Sequence, residues 1–288
     1  MTSSIKFTFL MLLAMFLWGG GWTALKILTE SVSVEVVSLW RFVIMFISFI
    51  PILIFSKKPL RLPKKGIKHI LFSSLLNVSF MIFAYLGVKY SSAGSGGVII
   101  TILSPLFTFA LTLVIFKDSH AKRQYLGLLI GLIGGAIMLN LQDFSSFIRG
   151  GELYFIFAAM IWAGVTLVAQ NSHQHVDPLH YSFFISAVSM LILFVLTIPS
   201  DITIVFEQDI RFWIALLYLG ILGQTVATTI FFVASGKLGS ARASSFMFLV
   251  PLFALLVSYI VLDEEIRMHI VVGGTISLIA VYFINKRS

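Results

Sequence analysis

The stretch Leu103-Ser-Pro-Leu-Phe107 returns later in the chain as Val250-Pro-Leu-Phe253, and this repetition decides the fold that we predict. The prolines of the two stretches lie 146 residues apart, and Gly127 and Gly273 keep the same offset without a gap. A self-match over so long a distance indicates a duplicated domain rather than a solenoid of short repeats. The class of the protein therefore depends on what each copy is made of.

The composition places the chain in a membrane. Of its 288 residues, 59% are hydrophobic and 11% are charged, whereas soluble domains are about 45–50% apolar and about 25% charged. Cysteine is absent, which excludes a disulfide framework and thiolate chemistry. The net charge of +8 is more typical of cytoplasmic loops of a membrane protein than of a nucleic-acid partner. We therefore expect a lipid bilayer around the protein and no nucleic acid.

Long apolar runs predict the number of membrane crossings. A helix needs about 20 apolar residues to cross the hydrocarbon core. This length predicts ten spans: Phe7–Thr29, Val34–Phe55, Ile67–Tyr90, Gly97–Phe116, Tyr125–Asn140, Gly151–Ser172, Leu179–Pro199, Phe212–Gly236, Ala241–Leu262 and Ile266–Asn285. The fifth span is the shortest and the richest in glycine, which permits close approach of another helix in lipid.

The first span matches the sixth at an offset of 144 residues, pairing Trp18 with Trp162 and Gly20 with Gly164. We therefore expect the first span to be retained, because a cleaved signal peptide would not have a partner inside the chain and no Ala-x-Ala site follows it. The chain then consists of two five-helix repeats, residues 1–140 and 151–288. Because five is odd, the second repeat begins on the opposite face and lies inverted.

The distribution of positive charge sets the orientation. With the N-terminus inside, inner segments hold fourteen Lys and Arg residues and outer loops hold four. This bias predicts a multi-pass protein of the cell inner (plasma) membrane with cytoplasmic N- and C-termini. Ten short-looped helices in two inverted halves are typical of secondary transporters, whose substrate site lies near mid-membrane between the repeats.

Paired motifs carry a resemblance to a known family. In the first half they are Leu17-Trp-Gly-Gly20, Leu39-Trp-Arg-Phe42, Lys89-Tyr-Ser-Ser-Ala93 and Leu103-Ser-Pro-Leu-Phe107, and in the second half Ile161-Trp162, Lys237-Leu-Gly-Ser-Ala-Arg242, Val250-Pro-Leu-Phe253 and Leu262-Asp-Glu264. With them the whole chain resembles the EamA-type, ten-helix members of the drug/metabolite transporter (DMT) superfamily. The resemblance implies export of drugs or metabolites, often amino acids, through a cavity that opens alternately to each side, without enzymatic activity or a cofactor.

The chain departs from the pattern of that family at two places. Asp118-Ser119 stands where the first half usually reads Glu-Arg, and Val250 stands where an acid often precedes the proline. Neither change disturbs the predicted fold. The missing acid at Val250 argues against a cation site centred on a carboxylate.

Arg41 is the arginine that lies well inside a predicted span, about seven residues from its outer end and so roughly 10 Å deep. An ionisable side chain within a membrane is a functional candidate by default, because burying it is costly. The alternative is a structural pin that bonds neighbouring helices, and the resemblance favours this alternative because the family carries an arginine here across varied substrates. Both interpretations stay open.

Aromatic residues predict one wall of a cavity. Trp18 and Trp162 lie near mid-depth of their spans, away from the interfaces where tryptophan usually collects. Trp22 lies one turn beyond Trp18 on the same face. An aromatic wall suits apolar or cationic organic substrates, and helix packing is the alternative role.

The other polar groups inside the spans are Asn77, Ser74, Tyr85, Gln224, Thr225 and Thr228. We select Asn77, Tyr85, Gln224 and Thr228 as candidates for the cavity lining, since Asn77 and Tyr85 share a helix face. Bonding to a neighbouring helix is the alternative, and such a bond contributes only ~0.6 kcal/mol on average.

Pro105 and Pro251 each remove a backbone hydrogen bond in the middle of a span. Their paired positions make them candidates for gating kinks, with a purely structural bend as the alternative. His173, His175 and His180 have no carboxylate or cysteine cluster beside them beyond Asp177. We therefore expect solvated histidines on a short inner loop, and no metal site.

The sequence thus predicts an inner-membrane exporter of small organic metabolites, amino acids or related compounds. Multidrug or organic-cation efflux by the same fold is the alternative within this class, and a membrane-embedded transferase or a scaffold are alternatives from other classes. Few carboxylates lie in the spans, with Glu35 near an outer end as the nearest, which favours facilitated or weakly coupled transport. The oligomeric state stays open, with a homodimer as one alternative.

Overall fold

The structure is a computed structural model that describes residues 3–56, 59–90, 93–117, 120–139, 151–263, 265 and 268–286. Every regular element within these residues is helical. The predicted linker between the halves, the departure at Asp118-Ser119 and Glu264 of the last motif fall outside the described residues.

The first half of the chain contains five helices. They are α1 (Ser3–Thr29), α2 (Val34–Ser56), α3 (Lys64–Tyr90), α4 (Ala93–Leu111) and α5 (Lys122–Leu139). Helix α4 is extended by a π-helical turn over Thr112–Phe116, after which Lys117 adopts a left-handed backbone conformation with φ of 53°. That conformation ends the helix.

The second half also contains five long helices. They are α6 (Glu152–Ser172), α7 (Pro178–Leu196), α8 (Ile210–Leu238), α9 and α10 (Met268–Asn285). Helix α8 has a π-helical middle, Tyr218–Ala227, between two α-helical segments. Helix α9 consists of Ser240–Ser245, a 3₁₀ turn at Phe246–Leu249 and Val250–Leu262.

These helices confirm the predicted all-α membrane fold with ten helices. Among the described residues, nine of them are long and apolar enough to cross a membrane. Helix α5 falls short because it begins with Lys122-Arg123-Gln124 and carries several glycines. Some helices run past the predicted spans, as α3 does by starting at Lys64, because charged residues can continue a helix into the interface.

Two helix starts are defined by aspartate caps. The Asp177 carboxylate accepts a hydrogen bond from the backbone N–H of Leu179 at 3.0 Å, with Pro178 in the first turn of α7. The Asp209 carboxylate accepts one from the backbone N–H of Phe212 at 2.8 Å and so caps α8. Each cap satisfies a backbone donor that the first helical turn leaves free.

The helices pack in matched pairs. Helix α3 packs on α6 and α1 packs on α8, while α4 packs on α6 and α9 packs on α1. Helix α2 packs on α7, and α5 packs on α10 more extensively than any other pair of the described elements. These six contacts are related to one another. If each helix is replaced by the one five places further along the chain, counting again from α1 after α10, every contact becomes another of the six or is unchanged. A two-fold relation between the halves would produce this pattern.

Small residues bring α5 and α10 into backbone contact. A Cβ atom on Gly134 would lie 2.8 Å from the carbonyl oxygen of Gly273, and one on Gly127 would lie 3.0 Å from the carbonyl oxygen of Ala280. An offset of 146 residues converts Gly127 into Gly273 and Gly134 into Ala280. The two close contacts are thus equivalent positions of the repeat, and neither leaves room for a larger side chain.

We predict that Gly273→Ala destabilises the protein and that Gly164→Ala does not. A Cβ atom at Gly273 would lie 2.6 Å from the Cγ atom of Met138 and would also meet the backbone of Gly134, whereas one at Gly164 meets only the flexible end of Leu76 at 3.4 Å. Overpacking of this kind costs about 1–3 kcal/mol. Reversible unfolding of the purified protein in mixed micelles measures the difference, and equal free energies of unfolding for the two variants would contradict the described interface.

Candidate functional site

One cavity lies between helices of both halves near the middle of the bundle. It has a volume of about 110 Å³ and is lined by residues of α1, α2, α3, α4, α6, α8 and α9. Seven of the eight residues that the sequence analysis selects line it: Trp18, Trp22, Arg41, Tyr85, Trp162, Gln224 and Thr228. This volume is below the ~150 Å³ of a cavity that binds benzene, so a larger organic molecule would widen the cavity as it binds.

An aromatic cluster forms the floor of the cavity. The rings of Trp18 and Trp162 meet edge to face with centroids 5.4 Å apart. Phe231 of α8 covers Trp18 at 5.0 Å, and Phe80 of α3 covers Trp162 at 4.9 Å. Each tryptophan is thus covered by a phenylalanine from the other half. Such pairs contribute about 0.5–1.5 kcal/mol beyond the area that they bury.

The two floor tryptophans differ in their hydrogen bonding. The indole N–H of Trp18 donates to the carbonyl oxygen of Gly223 at 3.1 Å. The indole nitrogen of Trp162 is buried and has no acceptor among the described residues. A buried donor without a partner is costly, so an acceptor that enters the cavity would bind favourably there if the ring turns toward it.

Arg41 is half-buried and is held by neutral partners. Its Nη1 donates to the hydroxyl oxygen of Tyr85 at 3.2 Å and contacts the sulfur of Met81 at 3.6 Å, and its Nη2 donates to Oε1 of Gln224 at 3.0 Å. Its Nε is buried without an acceptor. Among the described residues, no Asp or Glu lines the cavity. The guanidinium therefore gives the cavity an uncompensated positive charge.

The π-helical segment of α8 contributes Leu219, Gly223 and Gln224 to the cavity lining, and Thr228, which follows the segment, also lines the cavity. The wider turn of a π-helix occurs frequently at functional sites. Here the hydroxyl of Thr225 donates to the carbonyl oxygen of Gly220 at 3.0 Å, and the hydroxyl of Thr228 donates to that of Gly223 at 3.2 Å. The sequence predicted Gln224 as a lining residue but not the π-helical form of this segment, although two glycines before a Gln-Thr pair in an apolar run were a signal.

Asn77 lies away from the cavity. Its side chain is 1% exposed, and its amide nitrogen donates to the backbone carbonyl of Ser73, one turn earlier in α3, at 3.0 Å. The selection of Asn77 rested on a face shared with Tyr85, and the curvature and packing of α3 place only the later residue at the cavity. Sequence reasoning also missed Phe80 and Met81, because apolar residues that line a cavity look like any others in a span.

The two prolines have different surroundings. Pro105 lies inside the continuous α-helix α4. Pro251 follows the 3₁₀ turn of α9 and lies in the first turn of its last α-helical segment. Val250, which precedes it, lines the cavity, so the position at which the family often has an acid is a lining position of this cavity. Pro105 and Pro251 remain candidates for gating.

The cavity extends from its floor toward one side of the bundle. Its lining includes Leu25, Val88 and Ile100, which lie close to the end of α1, the end of α3 and the start of α4. On the other side of the floor, Tyr181 of α7 is 1% exposed and its hydroxyl contacts that of Ser73 in α3. The structure is therefore packed on the side where α1 begins.

The expectation of solvated histidines was wrong for His180, whereas His173 and His175 are partly exposed. His180 is 4% exposed inside α7, and the ring of His173 packs so closely on α8 that a Cβ atom at Gly236 would collide with it. Burial lowers the pKa of His173, and the nearby Lys237 lowers it further, against the opposing effect of Asp177. These side chains pack the closed end of the bundle.

The comparisons with known proteins agree with this architecture. The EamA-like transporter family matches residues 5–140 and again residues 149–286. "Uncharacterized transporter YoaV" of Bacillus subtilis (strain 168) is 23% identical over 264 residues, covering 90% of this chain and 89% of that protein. "WAT1-related protein At3g02690, chloroplastic" of Arabidopsis thaliana is 26% identical over 285 residues, covering 94% of this chain and 67% of that protein. A crystal structure with 15% sequence identity has the same fold, with a TM-score of 0.78 over 98% of both chains.

We predict that cysteines introduced on the two sides of the floor react differently with a small thiol reagent. The chain contains no cysteine of its own. Val88→Cys lines the cavity and is expected to react with reagent added on the side where α1 ends. Ala234→Cys, at a position that is 0% exposed, is the matched control and is expected to stay unlabelled. Equal labelling of both positions would contradict the described packing.

Proposed function

The chain belongs to the EamA-like transporter family, and we propose that it exports amino acids or related small organic metabolites across the cell inner membrane by alternating access. It is a multi-pass membrane transporter and not an enzyme. The proposed class of substrate rests on one observation, the aromatic cavity between the two halves with one guanidinium in its wall.

The proposal includes two inverted five-helix repeats. Three observations support a two-fold relation between them: the family matches the chain twice, the six helix contacts described above repeat or map onto themselves when both partners move five helices along the chain, and Trp18 meets its own repeat partner, Trp162, at the floor of the cavity. A residue that contacts its equivalent lies on the symmetry axis. Because each repeat has an odd number of helices, that axis lies in the plane of the membrane, as in other inverted-repeat transporters.

The orientation follows from the bias of Lys and Arg toward the side on which the N-terminus lies. With that side cytoplasmic, the cavity opens toward the outer face and the contact between Tyr181 and Ser73 lies on the closed cytoplasmic side. The structure then corresponds to an outward-facing state. Rocking of one half against the other would open the cytoplasmic side and close the outer one.

The chemistry of the cavity favours a molecule with a carboxylate and an apolar part. The Trp18 and Trp162 rings offer apolar surface, and the Arg41 guanidinium attracts an anion in a setting of low dielectric. Arg41 would repel an organic cation, although the tryptophan faces alone would attract one. The cavity thus favours amino acids and related compounds over the organic cations that a multidrug exporter would carry. Because no carboxylate lines the cavity among the described residues, we propose facilitated or weakly coupled transport.

We expect proteoliposomes that contain the protein to exchange labelled leucine, phenylalanine or threonine for the same compound inside, faster than empty liposomes do. A pH gradient is expected to change the rate little, because the cavity offers no carboxylate to carry a proton. Phenethylamine, which lacks only the carboxylate of phenylalanine, is the matched control. Exchange of the amine alone would favour organic-cation efflux, and exchange of none of these compounds would count against the proposed function.

We predict that Trp162→Ala lowers the rate of this exchange by about tenfold or more, because it removes half of the aromatic floor. Trp213→Ala is the control, since Trp213 packs against Trp40 and Phe206 outside the cavity, with ring centroids 6.4 Å and 5.9 Å away. Both variants are expected to insert into the membrane, as measured by their yield in the membrane fraction. Unchanged exchange in Trp162→Ala would remove this residue from the site.

A further inference from the structure

We propose that the carboxylate of the substrate displaces Gln224 from Arg41, and that this exchange of partners loosens the hydrogen bonding between the two halves. The inference rests on the proposed function and specifies which group of the substrate the cavity recognises. It also gives Gln224 a positioning role, in which it holds the guanidinium while the cavity is empty.

The π-helical segment of α8 carries a run of hydrogen bonds between the second half and the first. Three consecutive residues, Gly223-Gln224-Thr225, each share a hydrogen bond with a side chain of the first half. The partners are Trp18 at 3.1 Å, Arg41 at 3.0 Å and Ser48 at 2.6 Å, in that order. A change at any of them alters the connection between the halves directly.

The bond between Arg41 and Gln224 is the one of the three that an anion can replace. A guanidinium binds a carboxylate through two parallel charge-assisted hydrogen bonds, which are roughly twice as strong as bonds between neutral groups. In the structure the guanidinium has neutral partners and a buried Nε without an acceptor. A carboxylate that approaches from the cavity could bond Nη2 and Nε together. It would thereby satisfy the unpaired donor and take the place of the Gln224 amide oxygen.

Tyr85 distinguishes this exchange from a general loss of structure around Arg41. Tyr85 belongs to the same half as Arg41 and accepts a hydrogen bond from Nη1 at 3.2 Å. That bond holds the guanidinium within the first half while Nη2 changes partner. The exchange therefore removes one of the two side-chain hydrogen bonds between α2 and the π-helical segment of α8, without removing Arg41 from the cavity wall.

The binding of amino acids and their amides to purified protein in nanodiscs tests the inference. The probes are phenylalanine with phenylalaninamide, and leucine with leucinamide, which differ only in the carboxylate; tryptophan fluorescence reports binding. We expect the wild-type protein to bind each acid about tenfold more tightly than its amide, or better. Arg41→Gln is expected to reduce this ratio of affinities to about one, because it lowers the affinity for the acid and leaves the affinity for the amide unchanged.

Two further variants separate recognition from folding. Gln224→Glu places a tethered carboxylate at the position that the carboxylate of the substrate would take. We therefore expect this variant to bind the acid about tenfold more weakly than wild type does and to bind the amide as wild type does. Ser48→Ala removes a different hydrogen bond between the same two helices and is expected to leave the ratio unchanged.

Three results would overturn the inference. The first is that Arg41→Gln still binds the acids more tightly than the amides. The second is that Arg41→Gln loses affinity for acids and amides equally, as it would if Arg41 were a structural pin, and the third is that Gln224→Glu binds the acids as tightly as the wild-type protein does. If wild-type protein exchanges amino acids in proteoliposomes while any of these is found, only the inference fails. If wild-type protein neither binds nor exchanges them, the proposed function fails as well.

Discussion

The helices of this protein associate in a solvent as apolar as their own side chains, so the hydrophobic effect does little to hold them together. Two other kinds of contact take its place. At α5 and α10, glycines let the two backbones touch. At the π-helical segment of α8, side chains of the first half form hydrogen bonds to three consecutive residues. The first contact brings backbones together, which cannot change partners, whereas the second consists of side chains that can.

The backbone contact between α5 and α10 and the exchangeable hydrogen bonds of α8 lie on different parts of the bundle. The aromatic cavity lies beside the exchangeable hydrogen bonds. Trp18 of the first half and Trp162 of the second half are in contact on the cavity floor, so a ligand on this floor touches both halves at once. Arg41 adds the one strong charge of the cavity wall among the described residues. Both halves thus contribute to a single small site, as the proposed alternating access requires.

The sequence predicted the helices, their number and seven of the cavity-lining residues, because these depend on local composition and on the internal offset. Long apolar runs predict spans whatever packs around them, and the match of Trp18 with Trp162 selected both floor residues. It did not predict that Asn77 bonds to its own helix, that His180 is buried or that Phe80 covers Trp162. Those features depend on which face of a helix meets which neighbour, and a lipid-facing residue is as apolar as a buried one.

Among the described residues, helix α5 is the long helix that is not apolar enough to count as a membrane span, and it packs most extensively on α10. During synthesis, a segment that begins with Lys122-Arg123 and carries several glycines is a weak signal for membrane insertion. Its principal partner, α10, is synthesised only after the four helices α6 to α9 have been made. The first five helices are therefore an incomplete unit of assembly, and the final position of α5 is settled only after α10 arrives.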